Sequence, residues 1–105
     1  MHVEILHIDD CPNTAKAGAA ARAALDAAGL AEVAVEFVLL TTPEAARETP
    51  FAGSPTIAVD GRDLFPSDGA TDSLACRVYP TPTGLAGAPT VEQIAEALTA
   101  LADDS

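Results

Sequence analysis

The sequence predicts an α/β sandwich, a mixed four-stranded sheet with helices on both faces in the order β-α-β-(α)-β-β-α. Three observations predict it. Residues 2–8 read as a strand with apolar side chains on both sides, as in a sheet covered on both faces. An alanine-rich helix over 12–28 then separates that strand from a β-branched run at 33–40 (VAVEFVLL). The last elements end in a helix over 90–102 that must cover a sheet face. A strand, crossover helix and strand demand a parallel pair with a right-handed crossover. The 105 residues fit one domain, 1–105, able to fold without disulfide staples.

In the first strand Val3, Ile5 and His7 alternate with Glu4, Leu6 and Ile8, and Asp9 and Asp10 end it. Pro12 is acceptable in a first helical turn, where its missing N–H would be unpaired anyway. Ala and Leu make up ten of the seventeen residues 12–28, and both lose little side-chain entropy in a helix. Gly29 suits a left-handed C-cap. After the second strand, Thr42 caps a short helix over 43–48 with Pro43 in its first position. A third strand over 56–59 ends in the Asp60-Gly61 turn. Leu64-Phe65 starts a return strand, 66–73 is turn chemistry, and 74–79 (LACRVY) is the better fourth strand, pairing antiparallel to the third. The Pro- and Gly-rich residues 80–89 read as a loop. In the closing helix Thr90 and Gln93 form a capping box, and Val91, Ile94, Ala95, Leu98 and Leu101 keep helical spacing.

Sixteen acidic residues against five basic ones leave a net charge of −11. That charge disfavours nucleic acid, whose non-specific binding needs clustered Lys and Arg, and anionic membrane surfaces. It keeps the chain soluble, and it would also suit a basic partner. No window approaches the roughly 20 apolar residues of a membrane span, and the first residues lack the pattern of a signal peptide. With only two cysteines, the reading is a cytoplasmic protein with reduced thiols. No phosphate-binding glycine loop or serine elbow is present, so no cofactor is called for. His2 and His7 fall on opposite faces of a strand, and no Cys/His cluster has zinc-ligand spacing, so no metal site is expected either.

The chemistry gathers at Cys11, between the first strand and the first helix. Unpaired N–H groups and the positive end of the helix dipole stabilise a thiolate there, the reactive form. Asp9, Asp10 and the net charge oppose ionisation, and the sequence leaves the sign of the balance open. A cysteine at this point also serves as a small hydrophobe. Thr14 stands where a Cys-x-x-Cys site carries its second cysteine. Its hydroxyl can donate to sulfur but cannot attack a mixed disulfide, which makes Cys-Pro-Asn-Thr a monothiol arrangement. Ser54-Pro55 opens the third strand. As a cis bond it would free the backbone of Ser54 to pair with an extended substrate; as a trans bond it is an ordinary strand opener. Cys76 is a possible second thiol, either approaching Cys11 or packed in the core.

The strand ending at Asp10, the Cys-Pro-x-Thr helix start and the Ser-Pro-Thr-Ile-Ala-Val-Asp-Gly segment resemble the thioredoxin superfamily. The resemblance implies a thioredoxin-like sandwich with Cys11 as nucleophile and Pro55 as the cis-proline beside it. Ser54-Pro55-Thr56, Val59-Asp60-Gly61, Cys76-Arg77-Val78-Tyr79 and Gly87-Ala88-Pro89 further resemble small thioredoxin-like proteins labelled organomercurial-lyase-like. By residue type, Cys11, Cys76 and Asp9 or Asp10 correspond to the two cysteines and the acid of such lyases. The expected function is a monothiol redox protein, a thiol-disulfide oxidoreductase if it turns over. Cys11 would attack disulfides or mixed disulfides of a protein or glutathione, with Thr14 hydrogen-bonding the sulfur and Ser54-Pro55 aligning the substrate. The alternatives are a non-catalytic module binding a soft metal such as mercury or a protein partner, and an organomercurial-lyase-like protein. The oligomeric state is left open.

Overall fold

A computed structural model describes residues 1–67 and 74–103. Its elements are β1 (Val3–His7), α1 (Thr14–Ala27), β2 (Val35–Leu39), α2 (Pro43–Arg47), β3 (Thr56–Val59), β4 (Arg62–Asp63), β5 (Tyr79–Thr81), β6 (Gly84–Ala86) and α3 (Val91–Asp103). The main sheet runs β2-β1-β3-β4. β1 pairs parallel with β2, from Val3↔Val35 to His7↔Leu39, and antiparallel with β3, from Val3↔Val59 to Leu6↔Thr56. The mixed four-stranded α/β architecture is thus as expected.

The alternation in β1 divides the core as the sequence implies. Val3 and Ile5 join Ile57 and Val59 of β3 beneath α1 and α3, with Ala17, Ala21, Ala24, Leu25, Ile94 and Leu98. Leu6 and Ala58 face the other way, against Leu40, Phe51 and Ala46 of α2. Helices therefore cover both faces. The alanines of α1 let the helix lie close to the sheet, and Gly18 completes that fit, since a Cβ there would fall 2.4 Å from the Phe37 ring.

The helix ends follow local chemistry. Beyond α1, Leu30 N–H bonds the Leu25 carbonyl at 2.8 Å and Gly29 N–H bonds that of Asp26 at 3.3 Å, with Gly29 at φ 78°. This is a Schellman motif, which a left-handed glycine allows at no steric cost. The Thr42 hydroxyl accepts from Ala45 N–H at 3.1 Å. Thr90 and Gln93 exchange reciprocal bonds at 2.9 and 3.1 Å, the expected capping box. Asp60 and Gly61, both at positive φ, turn β3 into β4, as a two-residue hairpin loop requires.

Two expectations are corrected. The fourth strand of the sheet is Arg62–Asp63, not 74–79. The stretch 74–78 makes a single parallel bridge, Ser54↔Cys76, just before β3. An extended fit to β3 is prevented because Arg77 turns inward as a buried cation and β4 already holds that edge. The expected loop 80–89 contains the hairpin β5-β6. Thr81 stabilises its turn by donating to the Gly84 carbonyl at 2.5 Å, and Gln93 Nε2 fastens the Pro80 carbonyl at 2.8 Å. From 68 to 73, the turn expected over 66–73 lies outside the described residues.

Candidate active site at Cys11

Asp10 takes a left-handed conformation, φ 57°, at the end of β1 and turns the chain toward α1. Cys11 follows, and the helix begins at Thr14 with Asn13 as its N-cap. The cysteine therefore precedes the helix by one turn instead of opening it, and Pro12 lies just outside. Asn13 makes no side-chain cap, which leaves backbone N–H groups of this turn for another acceptor. Thr14 N–H bonds the Cys11 carbonyl at 3.4 Å, and the N–H groups of Asn13 and Thr14 also favour a negative sulfur.

Burial pushes the Cys11 thiol up, but hydrogen bonds outweigh it. The Ser54 hydroxyl, the Thr14 hydroxyl and the backbone N–H groups of Asn13 and Thr14 bring its pKa below the ordinary value of 9.0. All four favour the anion by placing donor hydrogens at it. The opposition expected from Asp9 and Asp10 is weak because both carboxylates are exposed and screened by water. The balance left open by the sequence thus falls toward the thiolate.

Ser54 and Thr14 are placed for this role in different ways. Ser54 is fully buried, and its Oγ accepts from Ile8 N–H at 3.1 Å, locking the hydroxyl between β1 and the segment before β3. Thr14 Oγ1 is buried and makes no hydrogen bond among the described residues, and its nearness to Cys11 helps lower that thiol's pKa. Replacing Thr14 by valine is expected to leave the urea midpoint nearly unchanged, because no other bond is lost. It should raise the Cys11 pKa, read as a slower alkylation rate at neutral pH.

The Ser54-Pro55 peptide is cis, one of the two forms considered from the sequence. The open backbone edge expected at Ser54 is not there. Ser54 N–H bonds the Ala75 carbonyl at 2.8 Å, and Arg77 N–H bonds the Ser54 carbonyl at 2.9 Å. The chain has laid its own residues 75–77 along that edge. Cys76 is free and exposed rather than packed in the core; Cys11 is free and half-buried.

What holds 75–77 in place was not singled out in the sequence. Arg77 Nη1 bonds Asp63 Oδ2 at 2.8 Å, with side chains only 7% and 11% exposed. Its Nη2 donates to the Phe65 carbonyl, and its guanidinium lies 4.5 Å over the Tyr79 ring. The Tyr79 hydroxyl donates to the Pro55 carbonyl at 2.5 Å, and burial keeps that phenol protonated. The available signal was a lone arginine inside an apolar run, in a chain with five basic residues.

The histidines lie on opposite faces, as predicted. His7 packs edge-on against Phe37 with centroids 6.2 Å apart. His2 Nε2 pairs with Glu36 at 3.0 Å and Glu4 at 3.5 Å. Their ligand atoms lie within 4.8 Å of one another, an exposed grouping that spacing of histidines and cysteines alone did not reveal. It sits at the opposite end of β1 from Cys11. No helix among the described residues is long and apolar enough to cross a membrane.

Comparison of the chain with protein-family models, curated proteins and solved structures finds no match.

Proposed function

We propose that this is a thioredoxin-like protein that exchanges thiols with disulfides through Cys11. The observation that carries the reading is a half-buried Cys11 at the turn before α1, beside Ser54 and Thr14, whose surroundings lower its pKa. A thiolate held this way is the nucleophile of exchange. Cys11 attacks one sulfur of a disulfide, the other departs as a thiolate, and a mixed disulfide remains on Cys11. Thr14 and Ser54 hold the negative charge before attack and cannot themselves resolve the product. Because residues 75–77 already fill the backbone edge at Ser54, the substrate class favoured is a low-molecular-weight disulfide such as that of glutathione. An extended protein strand would first have to displace that segment.

The test uses Cys76→Ser, in which a single thiol reports. Alkylation rate is measured against pH for the folded chain and for the same chain in urea. The folded profile should reach half its maximum at lower pH than the unfolded one. Oxidised glutathione should convert the folded chain to a single mixed disulfide on Cys11. Identical profiles with no adduct would remove the basis for this function.

A further inference from the structure

We infer that Cys76 is the resolving thiol of this site, so that the protein completes a two-cysteine cycle despite lacking a second cysteine in the helix. The inference rests on the exchange chemistry proposed for Cys11 and adds the step that follows it.

The placement comes from strand geometry. Ser54 donates to residue 75 and accepts from residue 77, the pattern of a parallel bridge centred on Cys76. Bridged residues stand one strand spacing apart, about 4.8 Å, and send their side chains to the same face. The Ser54 Oγ accepts from Ile8 N–H at 3.1 Å, three residues before Cys11, and Ser54 lies close enough to the Cys11 sulfur to lower its pKa. The two thiols therefore flank one residue. Arg77 alternates to the other face, where its bonds to Asp63, Thr56 and Phe65 fasten the segment from beneath. Cys76 is left exposed on a bridged segment held by both its neighbours. Gly53 is part of the fit, because a Cβ there would fall 2.8 Å from Arg77 Cβ.

The chemistry balances with the two cysteines and one substrate disulfide. Cys11 thiolate attacks R–S–S–R, forming Cys11–S–S–R and releasing RS⁻. Cys76 thiolate attacks the Cys11 sulfur of that adduct, forming a Cys11–Cys76 disulfide and releasing the second RS⁻. The two cysteine thiols give up two electrons, which reduce the substrate, and their protons pass through solvent to the departing thiolates. Return to the dithiol form needs a dithiol reductant. A tethered thiol has an effective concentration in the millimolar range or above, so resolution should outrun attack by free thiol at micromolar concentration.

The experiment titrates wild type, Cys76→Ser and Cys11→Ser with oxidised glutathione and reads intact mass, with disulfide mapping by proteolysis. Wild type should lose two hydrogens and release two glutathione molecules per chain, at a rate independent of protein concentration. Cys76→Ser should stop at the Cys11 adduct, with mixed disulfide at least about tenfold above the wild-type level. Cys11→Ser should react no faster than an unfolded cysteine. Equal adduct in wild type and Cys76→Ser would overturn the resolving role and leave the Cys11 chemistry standing. Disulfides between chains in place of the internal bond would overturn it as well. Absence of any Cys11 adduct in Cys76→Ser would overturn both.

Discussion

Arg77→Met is expected to cost about 3–5 kcal/mol of folding stability, the usual consequence of leaving one member of a buried ion pair behind. The Asp63 carboxylate would keep its bond from Phe65 N–H at 2.9 Å but lose its cation at 2.8 Å. The Phe65 carbonyl and the Tyr79 ring would lose a partner at the same time. For a domain of this size the loss is a large share of the total, which is typically about 5–15 kcal/mol. Urea unfolding measures it. Adding Asp63→Asn should recover part of the loss, because the amide oxygen still accepts from Phe65 N–H while the uncompensated charge is gone. A cost below about 1 kcal/mol, the level of an exposed ion pair, would mean that other contacts hold 75–77 against Ser54.

The second large effect is expected from Ser54→Ala, which acts on stability and reactivity together. The part-buried Ile8 N–H loses its acceptor, a cost toward the lower end of about 1–3 kcal/mol. The Cys11 sulfur loses a donor, so its pKa rises toward that of a free thiol and alkylation at neutral pH slows. The pH dependence follows from the direction of the shift. A cysteine whose folded pKa lies below its unfolded value contributes stability that is fully present above the unfolded pKa. That contribution disappears as pH falls through the folded pKa. Wild type should therefore exceed Ser54→Ala by more at alkaline pH than at pH 6. An unchanged gap across that range, measured by urea midpoints, would show that Ser54 supports β1 without acting on the sulfur.

The parts of the fold that local chemistry decides were legible in the sequence. Gly29, the Thr90–Gln93 pair, Asp60-Gly61 and the alternation Val3-Ile5 against Leu6 each specify a conformation through neighbours a few residues away. The region 74–89 was not legible in this way. Its conformation is set by Arg77 reaching Asp63, Tyr79 reaching Pro55 and Gln93 reaching Pro80. None of these separations has a periodic signature, and the prolines and glycines of 80–89 suit a loop and a short hairpin equally. The site divides along the same line. Cys11, Thr14 and Ser54 stand out because they sit where a helix and a strand begin. The position of Cys76 depends on a bridge across twenty-two residues of sequence, and the sign of the Cys11 shift depends on donors that only folding assembles.

The outer strand β2 sets the conditions under which the protein can be handled. Among the described residues one side of β2 has no neighbour in the sheet, and Phe37 and Leu39 on it are 53% and 49% exposed. An open strand with apolar side chains is a template for sticking between copies. Its protection is the mutual repulsion of acidic chains, a safeguard that fades near the isoelectric point of 4.1. Acid precipitation steps and acidic crystallisation screens will therefore gather the protein into aggregates, whereas buffers at neutral pH and low salt keep copies apart.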